Sequence, residues 1–242
     1  METLLPEKVY QYLKQGLLAG EFLPGVRLEY QRLASQLGVS TTPVREAMSK
    51  LASEGLIRLV PCLGAVVRSV DQDELAQLHG VREAIEPYAA ALAAGKISAG
   101  TKEQLRFLVE RMEQLLTEAG QNADGLLKGR PLAHFLQCDR AFHMTITEAS
   151  GNPRLVKIAA DIAARPSIFG GRHRGFSVQS LRTANRTHRS ILRAMDQRDA
   201  ARARMLVLQH IQHSLELELA AATPQATRTC ALDSFALAGN SA

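Results

Sequence analysis

Cysteine is scarce: three residues in 242, at positions 62, 138 and 230. Their odd number and wide spacing exclude a CxxC zinc knuckle and a disulfide framework, so a reducing cytoplasm is the expected compartment. No apolar run approaches the ~18 residues of a membrane span. The opening METLLPEKVY has no basic patch followed by an apolar stretch, so no signal peptide is read there and a soluble protein is expected. HExxH, a nucleophile elbow and a glycine-rich phosphate loop are all missing, which removes the commonest signatures of hydrolytic and nucleotide chemistry.

What is present is ordinary for a globular chain, with hydrophobic residues at 46% and charged residues at 22%. The length allows one large domain or two modest ones. Net charge is +5, but it is unevenly spread. Residues 165–204 hold ten Arg against two Asp, whereas 71–164 hold ten basic and thirteen acidic residues. A basic surplus is compatible with a polyanionic partner, though an Arg-rich solvated helix face is the plainer reading.

Periodicity divides the chain near residue 70. Val9, Leu13 and Leu17 mark one apolar helix face, Pro24-Gly25 a turn, and Leu33, Ala34 and Leu37 a short helix ending at Gly38. A further helix starts at Ser40, Thr41 or Thr42, with Pro43 in its first turn and Val44, Ala47, Met48 and Leu51 on its buried face. LIRLV (56–60) and AVVRSV (65–70), flanking a Pro/Gly turn, predict a β-hairpin. After Asp71 strands are no longer expected. Asp71-x-x-Glu74 and Thr101-x-x-Gln104 have capping-box spacing and open two long helices, to about 94 and 119. More helices are predicted at about 131–149, 153–164, 179–197 and 199–221. The tail from Thr223 has no clear period and reads as largely disordered. The expected fold is mainly α: a winged helix-turn-helix over 1–70, an all-helical antiparallel bundle over 71–221, and a tail over 222–242.

A helix, a glycine-containing turn and a second helix opening on small hydroxyl residues can present that second helix to the major groove of DNA. Such spacing also occurs in helical cores that bind nothing, and the hairpin, read as a wing, favours the DNA reading. Candidate contacts are Gln31, Ser40, Thr41, Thr42 and Pro43, with Arg45 able to fork onto a guanine edge and Gly64 laid near a sugar–phosphate chain. RLASQLGVSTTPVREAMSKLASEGLI (32–57) resembles the winged helix-turn-helix of GntR-family bacterial transcription regulators, and the likeness extends from LAGEFLPGVRL (18–28) into the wing. The resemblance implies DNA contacts from the start of the second helix and from Arg45. Two positions depart from the family pattern. Thr41 stands where Arg is common, and Leu63 where a basic residue precedes the wing glycine. Two fewer cations imply weaker phosphate and base contacts and a variant operator half-site.

In the second unit Asp139 and His143, at i and i+4, share one helix face. His188 and His210 lie about ten and eleven residues either side of a turn near 197–199, at similar height in an antiparallel hairpin. Three imidazoles and a carboxylate suit zinc, nickel or a similar divalent ion with positions left for a ligand oxygen. An Asp/His pair at this spacing also arises by chance. VREAIEPYAA (81–90), DRAFHMTITEASGNPRL (139–155) and HRSILRAMDQRDAARARMLVLQH (188–210) resemble the FCD ligand-binding domain of the FadR subfamily. The resemblance implies that these four residues hold metal and that the effector is a small organic acid. His79, His134, His173 and His213 match no role in that pattern and are read as surface or core residues. Arg82 is read either as half of an ion pair with Glu86 or as an effector contact, and ARPSIFGGRHRGFS (164–177) as an unusual pocket lid or helix break.

These readings converge on a homodimeric, metal-containing, effector-responsive DNA-binding regulator, a repressor. The alternative is a metal-dependent hydrolase using the Asp/His set, for which no general base stands out. A redox switch at Cys62 or Cys138 is a third reading, against which a buried structural thiol is the plainer one.

Overall fold

Val9, Leu13 and Leu17 recur every four residues, and in the computed structural model they form the buried stripe of α1 (Leu5–Leu18). The structure describes residues 5–18, 21–61, 64–68, 71–120, 124–163 and 175–222. The stripe packs on α3 (Thr41–Ser53), which also carries α2 (Tyr30–Leu37), and the inward Leu33, Ala34, Val44, Ala47, Met48 and Leu51 complete one core. Gly38, at φ +66°, ends α2 and returns its N–H to the carbonyls of Ala34 and Ser35. Ser40 stands at the N-terminal boundary of α3, but its side chain makes no capping bond there.

The hairpin is present as β2 (Ile57–Val60) and β3 (Gly64–Val67), and a third strand, β1 (Arg27–Leu28), pairs antiparallel with β3 to give the order β1-β3-β2. Two residues are too few to carry a period, so β1 was not expected. It also changes the reading of Gly64. That residue is buried at φ +103°, and a Cβ there would lie 2.2 Å from the Leu28 carbonyl oxygen. Glycine is required by the close approach of β1 to β3. The wing turn residues Cys62 and Leu63 lie outside the described residues.

The second unit comprises α4 (Gln72–Ala94), α5 (Ala99–Ala119), β4 (Leu126–Leu127), α6 (Gly129–Ala149), α7 (Pro153–Ala163), β5 (Phe176–Ser177), α8 (Val178–Asp196) and α9 (Ala200–Ala222). Leu105, Met112, Leu116, Phe135, Phe142 and Ile191 lie at the centre of its core. The expected all-helical bundle therefore carries one small antiparallel strand pair, β4 with β5. At its edge Gly175, at φ +84°, meets the Leu127 carbonyl so closely that a Cβ would stand 2.8 Å from it. Residues 164–174 of the expected lid segment, and the tail 223–242, lie outside the described residues.

Two caps differ from the expected boxes. Asp71 does accept from the Glu74 N–H at 2.7 Å, but the Glu74 side chain turns to Arg68 at 2.8 Å instead of closing the box. For α5 the cap is Ser98, which accepts from the Thr101 N–H at 3.0 Å, so the helix starts at Ala99 and tolerates Gly100 in its first turn. The α8–α9 turn falls where expected. Arg198 takes φ +56°, its N–H reaching Met195 and that of Asp199 reaching Ala194, while Asp199 caps α9 through the Arg202 N–H at 2.9 Å. No helix among the described residues is long and apolar enough to cross a membrane.

Gly64→Ala should destabilise the N-terminal unit by about 2–3 kcal/mol or more, because steric overlap and a left-handed φ act together. Urea unfolding checks this, and a midpoint equal to that of the unmodified protein would contradict the close approach.

Candidate functional site

The helical core of the second unit contains a set of side chains that apolar packing alone would exclude. Asp139 and His143 on α6, His188 on α8 and His210 on α9 place one ligand atom each within 4.8 Å of one another. The Nε2 atoms of His188 and His210 are 3.2 Å apart, and Asp139 Oδ1 lies 3.2 Å from the first and 3.6 Å from the second. Donors sharing an ion at about 2.1 Å are themselves about 3.0–3.4 Å apart, so these three already have the spacing of ligands. His143, His188 and His210 are all buried, at 5%, 0% and 1% exposure.

Hydrogen bonding supports the same conclusion. His143 Nδ1 lies 2.9 Å from Glu86 Oε2, while its Nε2 is buried and has no hydrogen-bond partner. A carboxylate behind one ring nitrogen fixes the tautomer and aims the other nitrogen forward, as ligating histidines require. The Nδ1 atoms of His188 and His210 are likewise unpartnered. Phe142 packs against His188 at 4.6 Å between ring centroids, and His143 stacks on His210 at 4.8 Å, so the rings are held by neighbours.

Burial disfavours charge on His188 and His210; it lowers the pKa of both, that of His210 to about 3 with help from His188. Both are therefore neutral donors at neutral pH. Burial opposes ionisation of Asp139 too, but bonds from His188 and His210 outweigh it and hold the carboxyl well below its ordinary range. Glu86 is also held down: burial works against it, and Arg82 and His143 more than reverse that. Asp139, Glu86 and Glu218 all act on the Arg82 guanidinium, and three imidazoles with one carboxylate are donors that a divalent cation takes. The donor set fits such an ion.

Arg82 gives its Nε–H to Glu86 at 2.7 Å, so the ion pair read from the sequence is formed. What the sequence reading missed is the other oxygen of Glu86, directed at His143. The i, i+4 pairing with Arg82 already satisfied that carboxylate locally, and nothing in the spacing signalled a contact between helices. His79 is buried, its Nδ1 3.3 Å from the Ile211 carbonyl; His134 is exposed, and His213 lies 3.6 Å from Glu216. His173 and Cys230 are outside the described residues, as is Cys62. Burial raises the pKa of the half-buried Cys138 thiol, which disfavours the thiolate that a redox switch needs.

On the N-terminal unit, Gln31, Ser40, Thr42 and Arg45 are exposed and Thr41 half-buried. Together they line the start of α3 and the edge of α2. Pro43 and Gly64 are not with them at the surface: Pro43 is buried in the first turn of α3, where its fixed φ shapes the helix start, and Gly64 is enclosed by β1.

Comparison with known proteins gives two domain matches, "Bacterial regulatory proteins, gntR family" over residues 5–67 and "FCD domain" over residues 77–213. An HTH-type transcriptional regulator from an unstable DNA locus of Streptomyces ambofaciens is 32% identical over 201 residues, covering 74% of this chain and 80% of its own length. The HTH-type transcriptional repressor GlaR of Escherichia coli is 28% identical over 205 residues, covering 84% and 90%. Among solved structures, Escherichia coli McbR/YncC superposes with a TM-score of 0.72 at 24% identity, over 91% of this chain and all of that one, which bears on fold.

Two outcomes are expected. Glu86→Gln should lower divalent-metal affinity about 10- to 100-fold in competition titrations, while His143→Ala abolishes stoichiometric binding. The metal-free protein should lose stability as pH falls from about 6.5 towards 4. There the unfolded chain protonates its histidines while folded His210 stays neutral until about pH 3, so the unfolded state binds more protons. Melting temperatures across that range, flat in the metal-free wild type, would refute the neutral buried pair.

Proposed function

This chain belongs to the GntR family of bacterial regulatory proteins and carries an FCD domain; from that premise we propose that it is a homodimeric repressor whose operator binding is set by a small organic acid held at the Asp139–His143–His188–His210 centre. It is a transcription regulator and not an enzyme, so the hydrolase reading is set aside. The observation that carries the effector reading is the convergence of four donors in a buried core, three of them imidazoles. The relative GlaR is a transcriptional repressor, which supports the direction of control.

We read residues 1–70 as the DNA-binding unit and 71–221 as the effector unit, with 222–242 outside both. Gln31, Ser40, Thr41, Thr42 and Arg45 are assigned to DNA, with Pro43 and Gly64 supporting the helix start and the wing. Because Thr41 and Leu63 replace cations of the family pattern, the half-site is proposed to be a variant one. Zinc or nickel suits the Asp/His3 donors. When bound, it supplies positive charge and open coordination positions to a carboxylate. Glu86 aims His143, Asp139 and the two buried imidazoles complete the donor set, and Arg82, already neutralised by Glu86, stands beside the effector. The acid can alter DNA binding only through its difference in affinity between two arrangements of the paired heads, typically 1–3 kcal/mol in such systems.

Arg45→Ala should weaken operator binding about 10- to 100-fold with metal content unchanged. His143→Ala should bind operator normally yet lose both the metal and the stabilisation that organic acids give the zinc-loaded protein. Thermal-shift and DNA-binding titrations on the full chain check both, and an unchanged acid response in His143→Ala would overturn the metal-held effector.

A further inference from the structure

Arg45 is exposed on α3, and its guanidinium carbon lies 4.6 Å from the centroid of the Tyr30 ring. That is within the ~6 Å reach of a cation–π contact. Tyr30 is the first residue of α2 and half-buried, packed against the same core as Phe22 and Leu37, so the ring is anchored. The pair forms one side of a groove of about 300 Å³ whose other side is Leu59, Val60 and Pro61, where β2 gives way to the wing. A cation is thus held at the mouth of a groove between the second helix of the helix-turn-helix and the wing.

We propose that Tyr30 is a positioning residue that fixes the guanidinium of Arg45 for base recognition and so helps to set operator specificity. The inference rests on the DNA contact assigned to Arg45 above. A free arginine has many rotamers to lose on binding, and an anchored aromatic face removes part of that loss in advance. A carboxylate would hold the cation as well, but it would meet the phosphates with like charge. The π face holds it without adding negative charge to the interface. With Thr41 and Leu63 at positions where the family pattern has cations, Arg45 carries a larger share of the readout, and its orientation matters more. The Tyr30 hydroxyl has no part in the contact, so phenylalanine should serve as well and leucine should not.

The test uses the full chain and duplexes selected by the wild type from a randomised pool. Selection and affinity are then measured for Tyr30→Phe, Tyr30→Leu and Arg45→Ala, with melting temperatures recorded for each. Arg45→Ala should flatten the preference at a base-pair position, and Tyr30→Leu should flatten that same position while weakening binding about two- to fivefold. Tyr30→Phe should match the wild type. Leucine with wild-type preference while Arg45→Ala is flattened overturns the proposal, as does a leucine variant that binds all duplexes equally more weakly with its preferences intact. A wild type that enriches no sequence overturns the DNA reading itself, and this inference with it.

Discussion

Burying three imidazoles and much of a carboxylate in an apolar core is the constraint on which the larger unit depends. Each such group costs free energy unless its polar atoms are matched. The core answers with Glu86, which takes a guanidinium on one oxygen and an imidazole on the other, and with Asp139, which takes two more imidazoles. The nitrogens of the set still unmatched are His143 Nε2 at the focus and the Nδ1 atoms of His188 and His210 behind it. Under the proposed function a divalent ion would occupy that focus. Four helices must meet there, so the long α4, α6, α8 and α9 are consequences of the site as well as its frame.

The same helix that carries Asp139 and His143 begins near the DNA-binding unit, where Arg130 meets Glu21 at 3.0 Å. Arg68 at the end of the wing meets Glu74 in the first turn of α4 at 2.8 Å. Both pairs are largely exposed, and such pairs contribute little in water and less in salt. Their weakness suits a regulator. Under the proposed control, heads fastened by strong contacts could not be reoriented by the modest differential affinity of a small effector.

Much of the architecture was legible because it is written in periods. The apolar faces of α1, α2 and α3, the hairpin, and the turn at 197–199 follow from spacing and from Gly and Pro placement. The four donors were legible for a related reason: i, i+4 on one helix and near-equal distances from one turn on two others are local arithmetic. What spacing could not carry was the meeting of elements far apart in sequence. The two-residue strands β1, β4 and β5 exist only because a partner strand is present. Gly64 and Pro43 looked like surface residues of a DNA reader until β1 and the core of the head enclosed them. The second bond of Glu86 belongs with these, since one partner lay four residues away and the other 57.

The α8–α9 turn bears on how the chain can change length. His188 and His210 are 22 residues apart, with Arg198 in its left-handed conformation between them. One residue added to α9 ahead of Val207 would swing the His210 side chain by about 100° around the helix axis. His210 would then leave the focus, and Val207 and Ile211 would leave the core with it. Insertions and deletions within α8 or α9 between the two histidines therefore break the donor set even where the residues concerned touch nothing.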